Sequence, residues 1–293
     1  MNQIIFGDCI ETMKDLISKG VKVQTCITSP PYFGLRDYGV NGQIGLEETP
    51  QAYVDKMVEV FRCVKDLLAH DGTLWLNLGD SYGEEKQLQG IPWRVALALQ
   101  ADGWYLRQDI IWAKPNPMPE SVTDRCTKSH EYIFLMSKNP KYYFDHEAIK
   151  EPCAESSYKR WNQDIENQVG SDRVPGKTNG NMKAVGIPTK SGNSYVDTGT
   201  RNKRSVWTQT VKPYKGAHFA TFPTQLIEPC VLAGSRIDDI VFDPFMGSGT
   251  TAQVAIENGR QYLGCELNSE YEKLQDERIA KAYGVKKTPL PMG

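Results

Sequence analysis

The chain has 293 residues, of which 40% are hydrophobic and 24% are charged, and its formal net charge is −2. This balance excludes a uniformly basic nucleic-acid-binding protein, so any surface for nucleic acid has to be a local patch. The seven cysteines show no C-x-x-C spacing, which argues for reduced thiols and against a metal site such as zinc. No apolar run approaches about 18 residues, and the first residues lack a signal-peptide pattern, so we expect a soluble, cytoplasmic protein without membrane contact.

The first predicted elements are a short strand and an amphipathic helix. Residues 4–6 are typical of a buried strand, and residues 10–17 have apolar side chains at helical spacing. Asp8 lies between them. Its carboxylate either caps the helix or, at the end of a strand where α/β folds bind ligands, accepts hydrogen bonds from an adenine amine or a ribose.

The second predicted strand, residues 23–27, stops at a double proline. Pro30 and Pro31 fix their own φ angles and push the preceding residues into extended conformations, so the turn is stiff. The Ser29 hydroxyl and the Pro30 carbonyl can accept hydrogen bonds, and Tyr32 supplies an aromatic face beside them. This combination suits a flat ring that carries an NH2 group, because the amine donates to both acceptors while the ring stacks on the tyrosine. A proline-rich turn with a packed tyrosine is the alternative.

The middle of the chain alternates predicted helices and strands. The glycine-punctuated loop at 33–39 contains Arg36 and resembles either a lid over a bound base or an ordinary surface loop. Lys114 and Arg125 lie beyond a predicted strand and are candidates for contacts with phosphates. Helices are predicted at 51–70 and 91–101, and strands at 73–80, 105–112 and 133–136.

Residues 151–205 differ from the rest of the chain in composition. They are rich in Gly, Asn, Ser and Lys, show almost no apolar periodicity and are basic within a mildly acidic protein. A disordered insert or passive linker has this composition. We favour a target-recognition segment that orders on DNA, with basic side chains on phosphates and polar ones on base edges. Its candidates for DNA contacts are Lys159, Arg160, Arg201, Lys203 and Arg204.

The last third of the chain carries a glycine-rich turn between a predicted strand and a predicted helix. Residues 240–242 lead into Asp243 and the sequence Pro-Phe-Met-Gly-Ser-Gly-Thr-Thr, which an apolar helix follows. This is the layout of a Rossmann-like nucleotide site, but it matches neither a Walker phosphate loop nor the dinucleotide fingerprint. Glu266 ends the next predicted strand, about 20 residues further on, where such folds place an acceptor for ribose hydroxyls. Further helices are predicted at 224–233 and 271–283.

Two of these stretches, residues 27–32 and residues 243–251, together resemble the DNA amino-methyltransferases. These enzymes methylate the exocyclic amine of cytosine or adenine with S-adenosyl-L-methionine as cofactor. The catalytic motif precedes the cofactor motif, which is the order of the family's β group, and the resemblance covers nearly the whole chain outside 151–205. It implies that Ser29, Pro30, Pro31 and Tyr32 form the catalytic turn. The cofactor-binding residues that it implies are Asp8, Thr28, Thr221, Phe222, Asp243, Pro244, Phe245, Gly247, Gly249, Thr250, Glu266 and Leu267.

We therefore predict an α/β protein with the Rossmann-like fold of S-adenosylmethionine-dependent methyltransferases. Its sheet should be mostly parallel with helices on both faces, plus an irregular insert. Residues 1–150 would form the catalytic half, residues 151–205 the target-recognition insert and residues 206–293 the cofactor-binding half of the same domain.

The expected function is site-specific methylation of double-stranded DNA at the exocyclic amine of a flipped base. Cytosine N4 is favoured, because a serine before Pro-Pro is commoner in the cytosine enzymes of the family. The alternatives are an adenine-N6 methyltransferase, a methyltransferase for RNA or a protein amide, and an inactive DNA-binding module. A cognate restriction endonuclease could be a partner.

Overall fold

The structure is a computed structural model, and it describes residues 1–153, 199–211 and 222–284. The chain divides into two units, one made of Met1–Ala148 with Arg204–Gly293 and the other of Ile149–Lys203. The bounds of the second unit lie within two residues of those predicted for the insert. Thr221, Lys159 and Arg160 lie outside the described residues.

The described strands and helices alternate along most of the larger unit, as an α/β fold requires. The strands are β1 (Gln3–Phe6), β2 (Val23–Thr28), β3 (Leu68–Leu78), β4 (Tyr105–Ala113), β5 (His130–Ser137), β6 (Glu151–Pro152), β7 (Thr200–Arg201), β8 (Val206–Thr208), β9 (Ile240–Asp243) and β10 (Gln261–Glu266). The helices are α1 (Cys9–Ser18), α2 (Pro50–Leu67), α3 (Ile91–Ala101), α4 (Thr224–Gly234), α5 (Thr250–Glu257) and α6 (Glu272–Gly284).

Eight of these strands form one sheet in the order β1-β10-β9-β2-β3-β5-β4-β8. Its neighbouring strands are parallel except for β3 with β5 and β5 with β4, because β5 runs against both of its neighbours. Helices α1, α2 and α3 pack side by side, as do α4, α5 and α6. One hydrophobic cluster joins α1–α3 to the sheet and includes none of the buried residues of α4–α6, so the two groups cover opposite faces. The predicted mostly parallel sheet with helices on both faces is therefore confirmed.

The core is built from the strands and helices that the apolar spacing indicated. Every residue of β2 is buried, as expected for a strand that is covered on both faces. On α2, the side chains of Tyr53, Met57, Phe61 and Val64 are fully buried. The prediction of a helix to residue 70 was wrong at its end, because Leu68 leaves the helix and pairs with Val23 in the sheet.

The parallel strands β1, β10, β9 and β2 all end at the same edge of the sheet. Their last residues are Phe6, Glu266, Asp243 and Thr28. Ligands of open α/β sheets bind at this edge. The topology thus brings the two motifs of the sequence, more than 200 residues apart, to one place.

The smaller unit contributes a two-stranded antiparallel ribbon to the described structure, formed by β6 and β7. Within it, Arg201 Nε donates a hydrogen bond to Glu151 Oε1 at 3.1 Å. The role of this unit in target recognition stays a prediction. Among the residues that the structure describes, no helix is both long and apolar enough to cross a membrane.

Candidate active site

Asp243 ties together the three chain segments that meet at the sheet edge. Its Oδ1 accepts hydrogen bonds from Thr28 Oγ1 at 2.6 Å and from the backbone nitrogen of Phe245 at 3.0 Å, and its Oδ2 accepts one from Thr251 Oγ1 at 2.7 Å. The carboxylate is almost fully buried. Burial raises the pKa of Asp243 to about 6, although the three hydrogen bonds act in the opposite direction.

Glu266 holds the inner side of the glycine-rich turn. Its Oε2 accepts a hydrogen bond from Gly247 N at 2.7 Å, and its Oε1 accepts one from Asn268 N at 2.8 Å. Burial raises the pKa of this carboxyl group above its usual range. Gly249 precedes α5 with a φ of +82°, a conformation that other residues rarely adopt, which explains why glycine stands here.

The outer side of the same turn is held by α6. Gln275 Nε2 donates to the carbonyl of Gly247 at 2.6 Å, and Arg278 Nη1 donates to Ser248 Oγ at 2.8 Å and also to Thr250 Oγ1. Both side chains are buried. The sequence predicted α6 only as an amphipathic helix. No sequence pattern shows that two polar side chains on such a helix, Gln275 and Arg278, are buried.

A cavity opens between the glycine-rich turn and the turn after β2. The predicted residues that line it are Asp8, Ser29, Pro31, Phe222, Asp243, Pro244, Phe245, Gly247, Thr250, Glu266 and Leu267. The cavity lining does not include four other predicted residues: Thr28, Pro30, Tyr32 and Gly249. Thr28 acts on the cavity through its hydrogen bond to Asp243. Asp8 caps α1, since its Oδ1 accepts from Ile10 N and Glu11 N, and it also lines the cavity, where its contact with an adenine or a ribose stays a prediction.

The loop between β2 and α2 forms another wall of this cavity. Tyr38, Val40, Gln43 and Ile44 line it, together with Tyr271 and Asn268 from the segment after β10. Sequence reasoning missed these residues. The candidate lid predicted at 33–39 includes only Tyr38 of these residues, and the cavity lining continues beyond it to Ile44.

The predicted catalytic turn, residues 29–32, is held by hydrogen bonds from neighbouring elements. Tyr53 Oη donates to the carbonyl of Pro31 at 2.9 Å, and Pro30 is buried. Ser29 Oγ donates to Tyr32 Oη at 3.2 Å, and Tyr32 Oη donates to Glu131 Oε2 at 2.8 Å. Burial, together with the nearby Glu131 carboxylate, raises the pKa of Tyr32 well above its usual range, so the phenol keeps its proton.

Glu131, which the sequence did not single out, is the centre of this support. Its Oε1 contacts the Lys114 ammonium, and its Oε2 also accepts a hydrogen bond from Asn77 Nδ2 at 3.3 Å. The same amide nitrogen donates to the carbonyl of Tyr132 at 3.0 Å. The Lys114 ammonium lies 4.2 Å from the ring centre of Trp112 as well, so a contact between Lys114 and a phosphate would compete with these partners.

The other candidates for DNA contacts lie at or near the surface. Arg36 is exposed, and Arg125 Nη1 pairs with Glu120 Oε2 at 2.7 Å. Lys203 and Arg204 follow the ribbon strand β7, in which Arg201 pairs with Glu151. Their contacts with DNA stay predictions. In the part of the chain that the structure describes, no group of three or more His, Cys, Asp and Glu side chains could hold a metal ion.

Comparison with known proteins decides the family. The model of the N6/N4 DNA methylase family matches residues 23–277, which include both the catalytic turn and the glycine-rich turn. The chain belongs to this family. It is thus a DNA methyltransferase, and its methyl donor is S-adenosyl-L-methionine.

Relatives of this methylase match it over most of their length. It is 42% identical to the type II methyltransferase M.SmaI of Serratia marcescens, over 95% of this chain and 91% of the relative. It is 40% identical to the type II methyltransferase M.Cfr9I of Citrobacter freundii, over 93% of this chain and 86% of the relative.

Solved structures share the fold of the methylase. The PvuII DNA methyltransferase, which is cytosine-N4-specific, has a TM-score of 0.65 at 18% identity and covers 97% of this chain and 91% of its own. A Thermus thermophilus protein described as a DNA modification methylase, complexed with S-adenosyl-L-methionine, has a TM-score of 0.61 at 23% identity, with 96% of both chains covered. The predicted Rossmann-like methyltransferase fold is therefore confirmed.

Proposed function

We propose that this methylase transfers a methyl group from S-adenosyl-L-methionine to the N4 amine of a cytosine that has left the DNA stack. The observation that carries the proposal is the shared cavity. Ser29 and Pro31 of the catalytic turn line the same cavity as Asp243 and Glu266 of the glycine-rich turn. A base held at the first turn would therefore lie next to a donor held at the second.

The donor would occupy the side of the cavity near the ends of β1, β9 and β10. Glu266 would accept hydrogen bonds from the ribose hydroxyls, since each of its oxygens keeps a lone pair beyond the one that a backbone nitrogen uses. Asp8 would lie against the adenine, and Phe222 and Phe245 would supply apolar wall. Asp243 would act through the shape of the turn, because its carboxylate is engaged with three protein donors.

The target amine would lie at the turn after β2. An exocyclic amine is a poor nucleophile because its lone pair is delocalised into the ring. Hydrogen bonds from its two protons to Ser29 Oγ and the Pro30 carbonyl favour a more tetrahedral nitrogen with its lone pair aimed at the donor methyl. The sulfonium leaves as a neutral thioether, and the methylated nitrogen loses one proton to water after the transfer. Orientation therefore carries much of the catalysis.

Cytosine is favoured over adenine by the residue before the double proline. Ser29 follows the pattern that is commoner in cytosine-N4 enzymes of the family, whereas adenine-N6 enzymes more often carry Asp or Asn there. The base has to leave the duplex stack to reach a cavity at a sheet edge, and Tyr32 would stack on it.

A partner endonuclease is the second part of the proposal. M.SmaI and M.Cfr9I are named as type II methyltransferases. By analogy, this methylase would protect the recognition sites of a cognate restriction endonuclease in the same cell.

Nucleoside analysis of DNA tests the proposal. DNA from cells that express the protein is digested to nucleosides and separated by mass spectrometry, with the Tyr32→Ala variant as the control. The variant loses a stacking contact worth about 1–3 kcal/mol, so its product should fall about tenfold or more. N4-methylcytosine is expected. N6-methyladenine in its place would overturn the choice of base, and the absence of any methylated nucleoside would overturn the activity.

A further inference from the structure

A hydrogen-bonded chain leads from Ser29, at the cavity wall, back to an ion pair behind the catalytic turn. Ser29 Oγ, Tyr32 Oη and Glu131 Oε2 follow one another at 3.2 Å and 2.8 Å, and the Lys114 ammonium contacts the other oxygen of Glu131. The side chains of Lys114 and Glu131 are only 17% and 15% exposed. A pair that is this buried adds little net stability, because the cost of removing the charges from water offsets their attraction. Stability is therefore a weak reason for its position here.

The direction of both hydrogen bonds in this series follows from Glu131, the last group in it. A carboxylate accepts hydrogen bonds and has none to donate, so the single proton of Tyr32 Oη points to Glu131 Oε2 at 2.8 Å rather than to Asn77 Oδ1 at 3.4 Å. The phenol oxygen is then left to accept, and it receives the single proton of Ser29. Ser29 consequently presents only lone pairs to the cavity.

The surroundings of Glu131 hold this arrangement in place. Lys114 pairs with Glu131 Oε1, and this charge-assisted contact fixes the orientation of the carboxylate. Asn77 contributes a further donor, and the orientation of its amide is set by the carbonyl of Tyr132. The raised pKa of Tyr32 keeps the phenol a donor.

We propose that Glu131, held by Lys114, is a positioning residue that makes Ser29 an obligate hydrogen-bond acceptor for the target amine. The inference rests on the proposed function, because an acceptor is needed only for a substrate that offers N–H groups. A serine hydroxyl that is free to rotate would direct its proton at the amine for part of the time, and two donors that face each other repel. The charge of Glu131 removes this unproductive state before the base arrives.

The Glu131→Gln variant tests the direction of the chain with little change in shape. An amide NH2 cannot face the Lys114 ammonium, so the amide oxygen turns to Lys114 and the NH2 group donates to Tyr32. Tyr32 then directs its own proton at Ser29 Oγ, 3.2 Å away, which is nearer than its other acceptor, Asn77 Oδ1 at 3.4 Å. We expect the single-turnover rate of methyl transfer to fall about 100-fold, as misplaced catalytic groups typically cause, with little change in donor affinity or in the KM for DNA.

A double-mutant cycle separates this role from a merely structural one. Tyr32→Phe removes the hydroxyl and keeps the ring, so it should lower the single-turnover rate about as much as Glu131→Gln does. Adding Glu131→Gln to Tyr32→Phe should cause no further loss, because the two residues act through one hydrogen bond. The matched control is Glu59→Gln, which removes the carboxylate of the surface pair between Glu59 and Lys56 and should leave the rate unchanged.

Two results would overturn the inference: an unchanged single-turnover rate in Glu131→Gln, or a full further loss in the Tyr32→Phe background. If thermal melting shows that Glu131→Gln does not fold, Tyr32→Phe alone carries the test, because it removes the acceptor of the Ser29 proton, and an unchanged single-turnover rate in it overturns the inference. The product of the unmodified protein is analysed first. No methylated nucleoside from that protein refutes the proposed function, whereas an active parent with unaffected variants refutes only the role of Glu131.

Discussion

Asp243 lines the cavity that we propose for the methyl donor and connects the segments around it. Its carboxylate joins the end of β2, the start of the glycine-rich turn and the first turn of α5. Its pKa of about 6 lies above the ordinary value of 3.8, so the folded protein binds this proton more tightly than the unfolded chain does. The contribution of this group to stability therefore decreases as the pH rises from about 4 to about 6, by about 3 kcal/mol in total.

The Asp243→Asn variant should remove this pH dependence. An amide keeps the shape, can accept from Phe245 N and can donate to the Thr251 hydroxyl, and it carries no charge at any pH. We expect the stability of the variant relative to the parent to increase by roughly 2 kcal/mol between pH 4.5 and pH 7.5. Urea unfolding of both proteins at the two pH values measures this difference. Parallel curves would contradict the account of Asp243, and Asp15→Asn, in a surface pair with Lys19, serves as the control.

Gly79 shows how closely Tyr32, the predicted catalytic tyrosine, is packed. A Cβ at this position would lie 2.6 Å from Cε2 of Tyr32 and 3.1 Å from its Cδ2, which is closer than real contacts allow. Gly79 does not line the donor cavity. The Tyr32 ring can occupy its position only because residue 79 has no side chain.

Gly79→Ala should therefore slow methyl transfer while leaving the donor in place. The ring of Tyr32 has to move, and displacements of about 1 Å near reacting groups cost on the order of 100-fold in rate. Donor affinity by calorimetry should stay at the parent value. Gly284→Ala is the control, because a Cβ there meets nothing within 4 Å. Equal rates for the two variants would show that the position of Tyr32 tolerates the shift.

At the scale of elements, the strands and helices were predictable wherever a local pattern determines them. The apolar runs, the double proline after β2 and the glycine-rich turn before α5 each carry their reason in neighbouring residues. The direction of β5 does not, since alternation indicates a strand without saying which way it runs in the sheet. The long-range contacts of Glu131 with Tyr32 and of Arg278 with the glycine-rich turn could not be predicted either. In the sequence, no local pattern distinguishes these two residues from surface charges.

Helix α6 should be needed for the donor site although it contributes no residue to the wall of the cavity. Arg278→Met keeps much of the apolar stem and removes the donors to Ser248 and Thr250. We expect a loss of about 1.5–3 kcal/mol of stability, typical of hydrogen bonds from a charged group, and weaker donor binding because the turn loosens. Calorimetry and thermal unfolding measure both. The exposed Lys281 on the same helix provides the control Lys281→Met, and equal donor affinity in the two variants would contradict this role of α6.

At the scale of the whole molecule, the net charge of −2 gives the methylase no general attraction to DNA. Binding then depends on where the basic side chains are placed. The sequence gathers them in the insert, which the structure separates as the unit Ile149–Lys203. We propose that this unit and the adjoining Arg204 supply the contacts with DNA phosphates.

Replacing the five basic candidates of this region with neutral residues should weaken DNA binding and reduce its salt dependence. The variant carries the changes Lys159→Gln, Arg160→Gln, Arg201→Gln, Lys203→Gln and Arg204→Gln. The slope of log affinity against log salt concentration is negative. Each lost phosphate contact should make it shallower by about 0.9, and five contacts by about 4.5. Donor affinity should not change. The matched control replaces five basic residues outside the insert.

These residues lie on or next to α1 and α2, and they are Lys14, Lys19, Lys22, Lys56 and Arg62. Both variants have the same formal charge, −2 − 5 = −7, so a general charge effect would alter them equally. Titration of duplex DNA at several salt concentrations distinguishes the outcomes, and an equal slope for the two variants would place the phosphate contacts elsewhere on the protein.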